Sequence, residues 1–415
     1  MTNDTRANRP AAMRFIMLVV LIDMLSVGII VPVLPSIIGG LTDSAASQAY
    51  WYGVIAFAFA IASFFGSPIL GALSDAFGRR PILLLGFCGL ALNFFVTGLA
   101  TAIWVLILSR IVGGGMQANA AVANAYVADI TAPEDRTKRF GMLGAMFGIG
   151  FIAGPVIGGL LGGRDVHLPF FAAGTLSLIN LVYGIFVLPE SLPVEKRRRF
   201  DFARINPLSS LKTLAKLQGS GRLIGIIACT SLAQFTLYTS WVLYTSYRFG
   251  WGPTENGWSL FTVGVVAALV QGVLLGRLVK RYSARTLLIV GLVSSVVSYL
   301  AYGLVTQGWM LYVAIVAGFL SGIVAAVVQS SVSGSTDAQS QGQTLGAVTA
   351  LSSLTAVVSP LFAAPLLASV SHLPRDDWRL GAPMFFCAAL QAVALVFGIS
   401  HFRRLSHAES ASLTA

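Results

Sequence analysis

Three charged side chains of this sequence stand inside apolar runs long enough to cross a bilayer. Asp23 lies in the run 13–35, Arg110 in the run 103–130, and Asp129 at the end of that same run. Ionisable groups at such depth are expensive and by default mark function. A carboxyl there whose proton affinity follows its access to water is what proton coupling requires; the alternative is an Asp hydrogen-bonded to neighbouring helices. Arg110 keeps its proton, so partners or a wet cavity must hold it. Residues seven apart drift by only ~20° around a helix. Arg110, Gln117 and Asn124 are therefore expected to form one polar stripe facing a cavity, with interhelical hydrogen bonding as the structural alternative.

A second constellation sits in the stretch 71–86, GALSDAFGRRPILLLG, where a short charged turn joins two apolar runs. Asp75, Arg79 and Arg80 share that turn's surface with Asp129. A cluster of alternating charge can clamp an inner mouth shut; arginines serving only as topology anchors would not need the two acids. Residues 148–163, GIGFIAGPVIGGLLGG, place Gly150, Gly154 and Gly158 at every fourth position around Pro155. Small residues at that spacing let a second helix approach closely, and the proline bends the span, so a packing seam and hinge are expected. Gln234, Tyr238 and Trp241, at i, i+4 and i+7, form an aromatic face suited to an apolar or cationic organic molecule, or else an interfacial belt. No embedded Ser/His/Asp set and no metal-ligand spacing accompanies them, so neither a catalytic residue nor a metal site is expected.

The elements that must position these residues are helices. Of 415 residues 56% are hydrophobic and only 10% charged, and the mean hydropathy is +0.80, where a soluble domain carries ~25% charged residues. Apolar runs of ~20 residues, each able to span ~30 Å of hydrocarbon, recur at 13–35, 50–73, 82–101, 103–130, 140–162, 169–189, 222–247, 257–278, 286–306, 308–332, 344–369 and 381–401. The first continues past Pro32 and Pro35 and is read as an uncleaved helix, not a signal peptide. Of 27 Lys and Arg, 22 fall on alternate segments that include both ends and the polar stretch 190–221, and four on the opposite loops. This asymmetry predicts a multi-pass inner-membrane protein with both termini cytoplasmic, and it accounts for the +11 charge without nucleic acid.

The chain also repeats itself. At an offset of 205 residues, Gly71, Arg80, Gly86, Trp104, Gly113, Gly141 and Pro155 meet Gly276, Arg285, Gly291, Trp309, Gly318, Gly346 and Pro360. The expected fold is all-α and polytopic: twelve transmembrane helices in two pseudo-symmetric six-helix bundles, 1–189 and 222–415, joined by a basic cytoplasmic linker, 190–221. A parallel repeat of this kind places a substrate site at the midplane and suits alternating access.

At these residues the sequence resembles the major facilitator superfamily along essentially its whole length. GALSDAFGRRP is similar to the family's loop between helices 2 and 3, Arg110 with Gly114 to its helix-4 signature, and GIGFIAGPVIGG to the helix-5 signature of proton-coupled exporters. IDMLSVGIIVPVLP at 22–35 and the stretch 140–159 look closest to the tetracycline-resistance pumps. The resemblance implies proton-driven export with Asp23 and Arg110 in the N-terminal cavity, and Asp75, Arg79 and Asp129 as an inner-gate cluster. It also implies departures. Where those pumps carry an acid in helix 3, a histidine in helix 8 and an acid in helix 9, this chain has Asn93, about Ala267 and about Ser295, which argues against metal–tetracycline as cargo and leaves Asp23 as a single coupling acid.

The expectation is export of small, largely apolar organic compounds. Asn93, Gln117, Asn124, Gln234, Tyr238 and Trp241 would line the substrate site, with protons, the substrate and the bilayer as partners of a monomer, and no cofactor beyond the proton gradient. A facilitator or importer of a small anion is the alternative, and a non-transporting receptor a more distant one.

Overall fold

Inside hydrocarbon a backbone must satisfy its own hydrogen bonds, which for a run of ~20 apolar residues leaves the helix. The computed structural model describes residues 9–117, 119–200, 221–334 and 341–414, and within these the apolar runs are helical apart from short breaks. Helix α1 (Arg9–Ile30) is continued after a turn by α2 (Leu34–Gly40). Then follow α3 (Ala45–Phe77), α4 (Arg79–Gly98), the consecutive pair α5 (Ile103–Met116) and α6 (Asn119–Ile130), α7 (Arg136–Gly162) and α8 (Leu168–Val187). The later part holds α9 (Gly221–Phe249), α10 (Pro253–Leu269) joined through a π turn to α11 (Leu275–Arg281), α12 (Ala284–Leu304), α13 (Gly308–Ala317), α14 (Val324–Gly334), α15 (Gln341–Val370) and α16 (Ala382–Thr414).

Among the described residues eleven helices are long and apolar enough to cross a bilayer. The twelfth span is a bent one, α13 and the segment Phe319–Val332 meeting at 47°. Linker residues 201–220 lie outside the described residues.

Packing groups the chain into two units: residues 1–43, 54–206 and 252–261, and residues 44–53, 207–251 and 262–415. These are not quite the two sequence halves, since the short segments 44–53 and 252–261 each group with the other half's unit. The first unit is built on Phe15, Ile16, Val19, Leu83, Phe87, Val122 and Tyr126, all at most 2% exposed; the second on Ile226, Leu288, Leu292 and Ile323, all fully buried.

The 205-residue repeat persists inside each unit. A Cβ on Gly86 would collide with Asn119, and one on Gly291 would lie 2.8 Å from Val324. Gly113 is pressed by Asn93, and Gly318 by Ser298. Both spans also break at the same place, α6 starting at Asn119 and α14 at Val324. Each unit therefore repeats one scaffold, but the notch of Gly86 is filled by a polar side chain, Asn119, and that of Gly291 by an apolar one, Val324.

Arg248, one of the four basic residues that the charge count puts on the opposite loops, falls in the last turn of α9. Arg248 is 2% exposed. It donates from Nε to the Val305 carbonyl at 2.9 Å and from Nη1 to the carbonyls of Arg375 at 2.9 Å and Asp377 at 2.6 Å. It thus clasps the ends of α9 and α12 to the loop before α16. Hydrogen bonds from the Arg379 side chain and backbone hold the Asp377 carboxyl below its ordinary range.

Candidate functional site

Asp23 sits two-thirds along α1 and is 3% exposed. Asn119, the first residue of α6, donates from Nδ2 to Asp23 Oδ1 at 3.1 Å. Asn119 rests in the notch left by Gly86 of α4, where any side chain would displace it. Three elements therefore fix the carboxyl from one side: α1 carries it, α6 supplies its donor, and α4 seats the donor.

Two further contacts hold α1 in place. Asn180 of α8, fully buried, donates from Nδ2 to the Val19 carbonyl at 2.9 Å, one turn before Asp23. On another face lie the α7 glycines. A Cβ on Gly150 would come within 2.8 Å of the Leu21 carbonyl, one on Gly154 within 2.7 Å of Gly28 Cα, and one on Gly158 would overlap the Ile29 carbonyl. Pro155 lies inside this helix. Helix α7 and helix α1 meet backbone to backbone, as only glycine permits.

Gly158→Ala is expected to destabilise the protein by about 1–3 kcal/mol, the cost of overpacking a rigid contact. Gly144→Ala, with open space at its Cβ, is the control. Thermal unfolding in detergent reads the difference, and equal midpoints for the two variants would refute the seam.

The polar stripe expected from seven-residue spacing does not form on one continuous helix. Helix α5 ends at Met116, and Gln117 adopts φ −83°, ψ 50° before α6 begins. Gly113, Gly114 and Gly115 precede the break and are poor helix formers. Gly114 is needed because α3 comes close, where a Cβ would strike the Phe59 carbonyl, and Gly113 because Asn93 of α4 presses on it. Arg110 is 4% exposed, its guanidinium 5.9 Å from the centre of the Phe59 ring, a cation–π distance. Asn124 is exposed and turns back on its own helix, Nδ2 donating to the Ala120 carbonyl at 2.8 Å. Asn93 of α4, 1% exposed and packed on Gly113, has no hydrogen-bond partner among the described residues for either side-chain polar atom. The break takes Gln117 and Asn124 out of register with Arg110 and gives Asn119 the position beside Asp23.

At the charged end of the same unit Arg79 joins two acids. Its Nη1 lies 2.6 Å from Asp75 Oδ1, its Nε 3.1 Å from Asp129 Oδ2, and Nη1 also donates to Ser74 Oγ at 2.6 Å. Glu190, at the start of the linker, was not picked out by sequence reasoning. Its carboxylate accepts from the backbone N–H groups of Arg79 at 2.9 Å and Arg80 at 3.3 Å. It thereby caps the N-terminus of α4, where orphan donors and the helix dipole favour an anion.

The turn itself needs Gly78, at φ 109°. Ser191 Oγ donates to Asp129 Oδ2 at 3.2 Å, Tyr126 to the Pro189 carbonyl at 2.9 Å, and the Arg198 N–H to the Asp75 carbonyl at 3.0 Å. Arg80 turns away from the acids, donating from Nη2 to the Ile185 carbonyl at 2.5 Å. Only an apolar helix end followed by Pro-Glu hinted at Glu190 in the sequence, and that pattern does not say which helix it caps.

In the second unit Gln234 donates to the Tyr238 hydroxyl at 2.8 Å, and Tyr238 is 46% exposed. Trp241 departs from that pair: it is 3% exposed and packs edge-on against Tyr302, centroids 5.5 Å apart. Ser295 spends its hydroxyl on the Gly291 carbonyl at 2.9 Å.

These features fit what the chain is similar to. The family model described as Major Facilitator Superfamily matches residues 16–242 and 223–414. The tetracycline resistance protein, class C, of Escherichia coli is 35% identical over 88% of this chain and 92% of its own length. Multidrug resistance protein 2 of Bacillus subtilis is 30% identical, over 69% of this chain and 72% of its own. Among solved structures, the nucleoside transporter NupG shares the fold at a TM-score of 0.78 and 12% identity, covering 94% of this chain and 99% of that one. On its twelve helical spans, its internal repeat and these matches, the chain belongs to the major facilitator superfamily.

Proposed function

We propose that the protein exports small, largely apolar organic compounds across the inner membrane in exchange for protons, by alternating access and without chemical conversion. The observation that carries this reading is the buried carboxyl of Asp23, held by a neutral amide, in a chain similar over most of its length to tetracycline and multidrug resistance proteins. A neutral donor lets a carboxyl exchange its proton without breaking an ion pair, so occupancy can follow water access.

In this reading Asp23 is the proton carrier and Arg110 the fixed cation of the cavity wall. Asn93, with an unspent amide, is the best placed of the polar substrate contacts, followed by Gln117, Asn124, Gln234 and Tyr238. Trp241 serves as packing against Tyr302. The ion pairs of Arg79 with Asp75 and Asp129 latch the cytoplasmic end, with both termini on that side as the 22-to-4 basic asymmetry supports. The protein works as a monomer, with the proton gradient as its energy source and no further cofactor.

The test is flux in proteoliposomes under an imposed pH gradient, with a lipophilic cationic dye as the probe. Accumulation that appears with the gradient and collapses with a proton ionophore is the expected result. Flux indifferent to the gradient would replace this reading with facilitated diffusion.

A further inference from the structure

Between the charged ends of α1 and α7, within the first unit, runs a groove of about 530 Å³ lined by Met13, Arg14, Met17, Leu18, Leu21, Arg139, Met142, Ala145 and Met146. Met13 and Met17, each 6% exposed, form its floor, while Leu18 and Met142, each 41% exposed, stand along it. From Arg14 to Leu21 the groove follows α1 for about 10 Å. Arg14 is exposed and Arg139 half-buried, with Arg139 Nη1 3.9 Å from Met142 Sδ. Among the described residues neither arginine pairs with a carboxylate.

Two cations with no counter-charge among the described residues, at the head of an apolar channel, define an amphiphile with an anionic head. We propose that this groove holds an anionic phospholipid, its phosphate between Arg14 and Arg139 and one acyl chain along the methionines. Methionine is flexible and polarizable, so its walls follow a chain of variable shape. Guanidinium groups bind phosphate in a fork, and basic pockets between helices near the cytoplasmic surface suit anionic head groups. A wholly apolar occupant would leave both guanidinium groups unmatched. Neither Asp23 nor Asn119 lines the groove, and its test reads binding, not transport.

The protein, delipidated in neutral detergent, is titrated with dioleoylphosphatidylglycerol or dioleoylphosphatidylcholine and bound lipid is read by native mass spectrometry. Two arginines at about 1 kcal/mol each correspond to an affinity for phosphatidylglycerol about thirtyfold lower in Arg14→Gln/Arg139→Gln, with phosphatidylcholine unaffected. Arg14→Lys/Arg139→Lys should keep most of the affinity. Met142→Trp, which fills the channel and leaves the charges, should weaken it. Equal phosphatidylglycerol affinity in the wild type and the Gln pair, or in the wild type and Met142→Trp, overturns the proposal. So does displacement by inorganic phosphate alone, which would mark a simple anion site, or one-for-one displacement by a transported drug, which would mark a cargo site.

Discussion

Asp23→Asn is expected to abolish proton-driven accumulation while leaving solute exchange at zero gradient intact. The substitution keeps size and a hydrogen-bonding oxygen for Asn119, so α1, α6 and the Gly86 notch stay as they are. What it removes is the titrating group. Losing a positioned proton-transfer group typically costs 10²–10⁴ in rate, so gradient-driven flux should drop by about a hundredfold or more. Asp23→Glu retains a carboxyl on a longer stem and should recover part of the flux, limited by its fit against Asn119. Proteoliposomes assayed in both modes separate coupling from binding. If Asp23→Asn accumulates substrate as the wild type does, the coupling proton is carried elsewhere and the proposed mechanism fails.

Arg79→Ala should have the next largest effect, and on a different observable. It strips the counter-charge from Asp75 and Asp129 together and leaves Ser74 Oγ without its donor. Breaking a buried pair by removing one partner costs about 3–5 kcal/mol. Here the acid side chains are 41% and 23% exposed, so solvent screening reduces the loss to about 2 kcal/mol. Thermal unfolding should fall accordingly. Solvent accessibility of a cysteine placed at Ser74 should rise, because a latch that no longer closes leaves the cytoplasmic end open. Arg79→Lys, a point charge without the fork that reaches two acids, should recover only part of both. An unchanged unfolding midpoint together with unchanged accessibility would reduce the cluster to surface charge.

The loop after α3 illustrates how far sequence reasoning reaches. The acids Asp75 and Asp129 could be assigned to one surface with Arg79 because all three stand at helix ends on the same side, which topology alone dictates. Arg80, chemically identical and adjacent, belongs instead to the Ile185 carbonyl; consecutive residues on a helix point about 100° apart, and which of them meets the acids is a matter of packing. The same holds for the polar stripe. Its register assumed an unbroken helix, and that helix ends before Gln117, after a glycine run in which Gly114 makes room for α3.

Composition, hydropathy and the 205-residue repeat determined by themselves that this is a twelve-span helical protein built twice on one scaffold. Hydrocarbon leaves an apolar run of ~20 residues only one way to satisfy its backbone, so that much is local. The depth of Asp23 and Arg110 was determined in the same way. The partners were not. That Asn119 holds Asp23, that Gly86 makes room for it, that Glu190 caps a helix 110 residues away, and that Arg248 is a buried clasp all depend on helices distant in sequence meeting side by side. The two halves make the point within one molecule: position 119 is an asparagine facing an acid, its counterpart 324 a valine in an apolar core. The scaffold is repeated because packing geometry is, while the chemistry is present once because it depends on which side chain fills the notch.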